Sequence, residues 1–241
     1  MNEREKKFQN LMADVIPRQV PKPQRLVSSE AFNDYITRNL PDLKAFLNFI
    51  ARNPLLNCTD VYCSLNWGTS KGNRIKRLAL RLNLAVEENV QLARGRGRLM
   101  ATLCLAEKGY QLLKLEPDAK GKGGSLHRAY QHVLKKRLAM LGIDATIEHY
   151  QNGKNVDLGF SLNGQKWAVE VTLTAGSNEL QNLDKDLQAG FDRIFFIVKD
   201  LKTLKKAENP ILDAVPQGRK HQIHVGLFED FFESIKSEMG Q

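Results

Sequence analysis

The dipeptide Asn163-Gly164 lies between two short stretches of alternating apolar and polar residues, and it constrains the fold of this chain more than any other feature. Asn-Gly is favoured in two-residue hairpin turns, in which both residues take a positive φ. Such a turn places Asp157 directly opposite Glu170 further along the hairpin. The Cβ atoms of an opposed pair lie roughly 5 Å apart, so two like charges would face each other. Carboxylates held in this way suit a divalent cation or a shared proton.

The alternation on both strands supports this register. One face is apolar throughout and is expected to face a core, with Val156, Leu158, Phe160, Leu162, Trp167, Val169, Val171 and Leu173. The other face carries Asp157 and Glu170 among small and polar residues. This predicts that both acids lie on the polar side of a half-buried hairpin. Two unrelated, solvated acids are the ordinary interpretation of such a face, and the context of the hairpin argues against it.

The positive charge of the chain is concentrated in one segment. The 241 residues include 36 Lys/Arg and 27 Asp/Glu. Residues 54–115 hold ten of the basic and four of the acidic residues, whereas residues 124–241 hold fifteen of each. A local excess of positive charge is typical of a module that binds a polyanion. The neutral second half also fits a protein partner or a homodimer.

Composition excludes several classes of protein. No apolar run approaches the ~20 residues that cross a bilayer. The basic helix of residues 70–82 lacks the exposed aromatic anchors of a membrane-surface helix, so no membrane association is expected. The first ten residues lack the apolar region of a signal peptide. The three cysteines, Cys58, Cys63 and Cys104, form no even disulfide framework. We therefore expect a cytoplasmic protein.

Two segments without apolar periodicity predict the domain boundaries. Residues 1–29 are charged and then marked by prolines, and we interpret them as a mobile N-terminal arm. Residues 116–124 combine turn-forming and flexible residues, which predicts a linker. The two domains so defined cover 30–115 and 125–241, in a mixed α/β protein of the α+β type.

Segment 54–115 predicts a short helix, a turn at Gly68, a basic helix over 70–82 and a hairpin with a basic tip at 94–98. The apolar positions of the basic helix have helical spacing: Ile75, Leu78, Ala79 and Leu82. This order resembles the winged helix-turn-helix domain of bacterial regulators and plasmid-replication proteins. The resemblance implies that helix 70–82 enters the major groove of double-stranded DNA while the wing contacts its backbone or minor groove.

Nine side chains of this domain are candidate DNA contacts. Arginine and lysine match the phosphates of a duplex, and arginine and asparagine can read base edges. The candidates are Lys71, Asn73, Arg74, Lys76, Arg77, Arg81, Arg94, Arg96 and Arg98. The alternative is a solvated basic helix with a wing that contacts protein.

Residues 125–241 predict a helix, three strands, a helix and a strand, followed by a further helix, strand and helix. The order αβββαβ, with Asp157 and Glu170 on its second and third strands, resembles the PD-(D/E)XK nuclease superfamily and its restriction-endonuclease-like fold. The resemblance implies that these two acids bind Mg²⁺ (or Mn²⁺) and that the domain hydrolyses DNA. The residue types suit this chemistry, because Mg²⁺ prefers one or two carboxylates with waters and substrate phosphate. A metal so held activates water and stabilises charge on the phosphate.

The third strand departs from the superfamily pattern. A catalytic lysine is expected two residues after the glutamate, where this chain has Thr172. Some members place that lysine on the following helix, which makes Lys185 the candidate. Asn178, Asn182 and Lys185 share one face of that helix. The competing interpretation is an ordinary solvated lysine beside two aspartates.

Three further side chains stay open as alternatives. Lys166 shares the carboxylate face, but it lies nearer to the turn and is the weaker choice of lysine. His127 and Gln131 share a face of the first helix, where the superfamily can place an acidic or polar active-site residue. No acid occurs between residues 125 and 143, and a polar role at the helix end is the ordinary interpretation of His127.

Two functions follow from these patterns. The first is a DNA-binding protein with a metal-dependent nuclease domain, a pairing that occurs in mobile-element, conjugation-related and defence proteins. The second is a non-catalytic DNA-binding regulator, or a mobile-element or defence accessory protein, that keeps an inactive nuclease fold as a scaffold. Thr172 and the missing helix acid favour the second.

Overall fold

The computed structural model of the protein describes residues 29–94, 99–115, 123–176 and 178–240. Most of the predicted N-terminal arm, the linker through residue 122, and both Arg96 and Arg98 lie outside these residues. Among the helices described, none is long and apolar enough to cross a membrane.

The described residues form two compact units. The first unit contains residues 29–88 and 102–115. The second contains residues 123–240, except 177, together with the described part of the segment 89–101. Residues 89–94 and 99–101 are therefore grouped with the second unit.

The first unit is built from helices and part of a two-stranded hairpin. The elements are α1 (Ser29–Arg52), α2 (Cys58–Ser64), α3 (Thr69–Arg81), β1 (Ala85–Val90), β2 (Met100–Leu105) and α4 (Glu107–Leu113). Strand β1 pairs with β2, and Asn57, just before α2, forms an antiparallel bridge to Thr102. The apolar positions predicted for the basic helix are all buried. They pack against α1 and against Tyr62, whose ring lies so close to Gly72 that a Cβ there would come within 2.4 Å of it.

The second unit is a five-stranded mixed sheet with helices. The elements are α5 (Ser125–Met140), β3 (Ala145–Gln151), β4 (Lys154–Leu162), β5 (Gln165–Thr172), α6 (Asn178–Ala189), β6 (Arg193–Val198), α7 (Leu201–Ala214), a 3-10 helix (Gln217–Gln222), β7 (Ile223–Gly226) and α8 (Phe228–Glu238). The strands are ordered β3-β4-β5-β6-β7. Pairing is antiparallel from β3 to β5 and parallel from β5 to β7. The predicted element order and the mixed α/β class are confirmed.

The hairpin between β4 and β5 has the predicted register. Asn163 and Gly164 have φ angles of 51° and 76°, as a type I′ turn requires. Phe160 is paired with Trp167, and the regular ladder ends at Leu158 and Val169. The ladder thus stops one step before Asp157 and Glu170.

Around Glu170 both faces of this hairpin are buried, so the prediction of a half-buried hairpin was wrong there, whereas Ser161 and Lys166 nearer the turn are exposed. On one face, Trp167 stacks on Phe160 with ring centroids 5.7 Å apart, and Phe231 of α8 packs against Phe160. On the other face, Ala168 packs with Leu183 of α6. Helices on both sides of the sheet bury β5 almost completely, which places Glu170 in the protein interior.

The strands β3 and β4 are distorted beside Asp157. Glu148 has a φ of 52°, a conformation that non-glycine residues adopt at a cost and that is concentrated at functional sites. The ladder pairs Ile147 with Leu158 and His149 with Val156, but it contains no pair between Glu148 and Asp157. Val156 packs in the same cluster as Ala168 and Leu183, although alternation predicted it on the opposite face.

Candidate active site

Glu170 is buried between β5 and α6, with 3% of its surface exposed. Its Oε1 accepts a hydrogen bond from Nζ of Lys185 at 2.9 Å. Its Oε2 accepts one from the Asn182 side chain at 3.0 Å. Lys185 Nζ also lies 3.3 Å from Asn182 Oδ1. The structure therefore brings together the acid and the lysine that were predicted from separate elements.

Helix α6 presents Lys185 to the sheet because its apolar residues fix its rotation. Leu183 and Ala189 are buried, and burying them turns the adjacent face with Asn182 and Lys185 toward β5. Lys166, the alternative lysine, has an exposed side chain. Its position next to the turn keeps it away from this cluster.

The Asp157 carboxylate contacts the backbone of the neighbouring strand β5 and two side chains of α5. Its Oδ2 accepts one from the backbone N–H of Val171 at 2.7 Å and lies 2.9 Å from His127 Nε2. Its Oδ1 lies 3.4 Å from the side-chain nitrogen of Gln131. That nitrogen also donates to Glu148 Oε1 at 3.1 Å. His127 and Gln131 of α5 thus hold the orientation of the Asp157 carboxylate.

His127 is held at this position by a close backbone contact. A Cβ on Gly123 would come within 2.3 Å of His127 Nδ1, so a larger residue at this position would force the imidazole to shift. Within the described part of the chain, Nδ1 of His127 is buried without a hydrogen-bond partner. The ring therefore contributes to the site through Nε2 and its contact with Asp157.

Electrostatics at Glu170 favour an uncharged carboxyl. Burial, and then the negative charges of Asp157 and Asp186, raise the pKa of Glu170 well above its ordinary value. Lys185 acts in the opposite direction. For Lys185 itself, burial lowers the pKa, but the charges of Glu170 and Asp186 outweigh it and the net shift is upward. Lys185 therefore stays protonated near neutral pH and acts as a cation rather than a base.

Asp186 is a third acid of this cluster, and sequence analysis treated it only as a neighbour of Lys185. Its side chain is 0% exposed, and its Oδ1 lies 3.6 Å from Lys185 Nζ. Burial raises the pKa of Asp186 to about 7, although the positive charge of Lys185 lowers it. The pKa values of Glu170 and Asp186 are therefore both raised, with burial as the largest cause for each.

Glu148 was also missed as a site residue. The register of β3 against β4 places Glu148 level with Asp157. Aligning these two strands in the sequence would therefore have identified Glu148 as a neighbour of Asp157. Its positive φ and its bond from Gln131 could not be read from alternation.

Asp157 and Glu170 are the two carboxylates that could hold a divalent cation, with Asp186 adding negative charge nearby. Asp157, Glu170 and Asp186 interact electrostatically with only one lysine in this cluster, and the oxygens of Asp186 lack a hydrogen-bond donor within the described chain. A cation would relieve this excess of negative charge. No three His, Cys, Asp or Glu side chains of the described residues converge on one metal position. Two carboxylates completed by waters and substrate phosphate are the usual pattern for Mg²⁺.

Several predicted DNA contacts have intramolecular partners in the first unit. Lys71 pairs with Asp42 at 2.8 Å, and Lys76 pairs with Glu87 at 2.7 Å. These acids neutralise two of the charges on α3. Asn73 Oδ1 accepts a hydrogen bond from the Tyr62 hydroxyl at 3.1 Å.

The remaining arginines of α3 form an exposed stripe. Arg74, Arg77 and Arg81 are exposed, and at spacings of three and four residues they share one helical face. Arg94, predicted as a wing contact, instead pairs with Asp230 at 2.8 Å in the second unit. The surface available to an anion on α3 is therefore narrower than the sequence indicated.

No protein-family model and no curated protein matches this sequence. Among solved structures, protein VC1899 from Vibrio cholerae shares 12% sequence identity with it, at a TM-score of 0.36. The alignment covers 99% of this chain, which spans 58% of the length of that protein.

Proposed function

We propose that the protein binds DNA and hydrolyses its phosphodiester bonds in a metal-dependent reaction. The observation that carries the proposal is the convergence of Glu170, Lys185 and Asn182 beside Asp157 in a buried site. This cluster supports a PD-(D/E)XK-type centre whose lysine comes from the helix, not from the strand position of Thr172. The test is a cleavage assay over several forms of DNA with Mg²⁺ or Mn²⁺.

Each residue has a distinct role in the proposed reaction. Asp157 and Glu170 would hold the Mg²⁺ or Mn²⁺ ion, which supplies a Lewis acid and an activated water when bound. Lys185 provides a fixed positive charge beside Glu170 and stabilises the negative charge that develops on the phosphate. His127 and Gln131 orient Asp157, and Asp186 keeps Lys185 charged.

DNA binding is proposed to depend on the exposed arginines of α3. Changing Arg74 and Arg77 to glutamine should weaken binding to double-stranded DNA and reduce the slope of log affinity against log salt by about 2, since each phosphate contact contributes about 0.9. Fluorescence anisotropy between ~50 and ~200 mM salt measures this slope. The Lys202→Gln and Lys205→Gln double variant, on the exposed side of α7, is the matched control. An unchanged slope in the arginine variant would contradict the proposal.

A second candidate function is a non-catalytic DNA-binding regulator with the same fold. It is favoured by Asp157, whose two oxygens already face His127, Gln131 and the Val171 N–H. Calorimetry separates the two functions. A catalytic centre should bind Mg²⁺ or Mn²⁺ at ~mM concentrations, with binding lost in Asp157→Asn. No heat of binding in the unmodified protein would support the scaffold.

A further inference from the structure

A basic groove lies between α1 and α3 of the first unit, alongside the exposed arginine stripe. Its volume is about 750 Å³. Four arginines and no acidic residue are among its lining residues, with Arg38 on α1 facing Arg74, Arg77 and Arg81 on α3. The groove is therefore a concentrated positive site.

Aromatic side chains of α1 also line this groove. The guanidinium of Arg81 lies 4.2 Å from the ring centroid of Phe32, a cation–π contact that anchors this arginine against α1. Tyr35 follows Phe32 by three residues on the same helical face and is 36% exposed. The groove thus combines an exposed aromatic ring with cations.

We propose that this groove binds an unpaired nucleotide of a DNA strand, with the arginines on the phosphates and the Tyr35 ring stacked on the base. A blunt duplex keeps its bases inside the stack and presents only edges and phosphates. An unpaired base presents its π face, and arginines with aromatic rings are the combination used by single-strand sites. The inference rests on the DNA-binding part of the proposed function and names the form of DNA: a duplex with a single-stranded tail or gap.

The test measures affinity by fluorescence anisotropy in EDTA, so that cleavage plays no part. Three labelled probes are compared: a blunt duplex, the same duplex with a ten-nucleotide thymine tail, and the thymine strand alone. The tailed duplex should bind roughly 10-fold more tightly than the blunt one, within the range that one stacked base contributes.

Two variants locate the site of this preference. Tyr35→Ala should remove the roughly 10-fold preference for the tail and leave binding of the blunt duplex unchanged, whereas Tyr35→Phe should retain the preference because it keeps the ring. Tyr150→Ala is the matched control, since Tyr150 is a more exposed tyrosine of β3, at 69%. Its preference for the tail should equal that of the unmodified protein.

Several outcomes would overturn the inference. Equal affinity for blunt and tailed duplexes, or equal effects of Tyr35→Ala and Tyr150→Ala, would exclude a nucleotide site in the groove while leaving DNA binding in place. If thymidine monophosphate binds and no DNA probe does, the groove is a small-molecule site and the inference is wrong. If none of the DNA probes binds, the DNA-binding part of the proposed function fails as well.

Discussion

The Glu170→Gln variant is expected to lose DNA cleavage by at least ~1000-fold, or about 4 kcal/mol of transition-state stabilisation. Glutamine keeps the shape of the side chain and can still accept a hydrogen bond from Lys185. It removes the charge that would hold a cation. The measurement is the single-turnover rate of cleavage at saturating Mg²⁺ or Mn²⁺.

Unfolding experiments test whether the loss of cleavage comes from a loss of folding stability. Glu170 is buried, and burial already favours its uncharged form, so Glu170→Gln should be at least as stable as the unmodified protein at pH 8. Asp184→Asn is the matched control, because Asp184 is exposed on the same helix as Lys185 and should cleave at the normal rate. Cleavage that persists in both Glu170→Gln and Asp157→Asn would refute the assigned centre.

The Asp186→Asn variant is expected to be more stable than the unmodified protein at pH 8, by on the order of 4 kcal/mol, and equally stable near pH 4. Burial raises the pKa of Asp186 from 3.8 to about 7 in the folded protein. The folded state therefore binds this proton more tightly than the unfolded state. Between these two pKa values, the contribution of Asp186 to stability falls by roughly 1.4 kcal/mol for each unit of rising pH. Asparagine carries no such proton.

Urea unfolding in EDTA at pH 4, 6 and 8 measures this difference. The stability gap between Asp186→Asn and the unmodified protein should widen as pH rises and stay constant above about pH 7. Asp184→Asn should show no such gap, because its side chain is exposed. A gap that is the same at all three pH values would mean that Asp186 is not the buried titrating acid of the folded protein.

Local sequence patterns predicted much of this structure. The Asn163-Gly164 turn specified its hairpin and register, since two-residue turns leave few alternatives. Helical periodicity predicted the buried side of α3. Helical spacing placed Asn182 and Lys185 on one face of their helix, and the resemblance to the nuclease superfamily made Lys185 the candidate partner of the two acids.

The alternation of apolar and polar residues gave wrong predictions where helices pack against the strands or the strand pairing is irregular. It predicted that Asp157 and Glu170 lie on the polar side of a half-buried hairpin, and the structure instead buries Glu170 under α6. Alternation also misplaced Val156, since the distortion at Glu148 and Asp157 interrupts the regular ladder. Alternation with a period of two shows which residues of a strand share a face. It does not show which helix covers that face, or where the strand loses its regular pairing with the next strand.

The sequence by itself determined the order of the elements, the hairpin register and the pair of acids at its end, because turn geometry and periodicity are local properties. Only the tertiary structure decided what surrounds those acids: Lys185 and Asp186 from α6, and His127 from α5. It also paired Lys71, Lys76 and Arg94 with distant acids. Charge and burial depend on residues far apart in the chain, and their effects appear only when folding brings those residues within a few ångströms of one another.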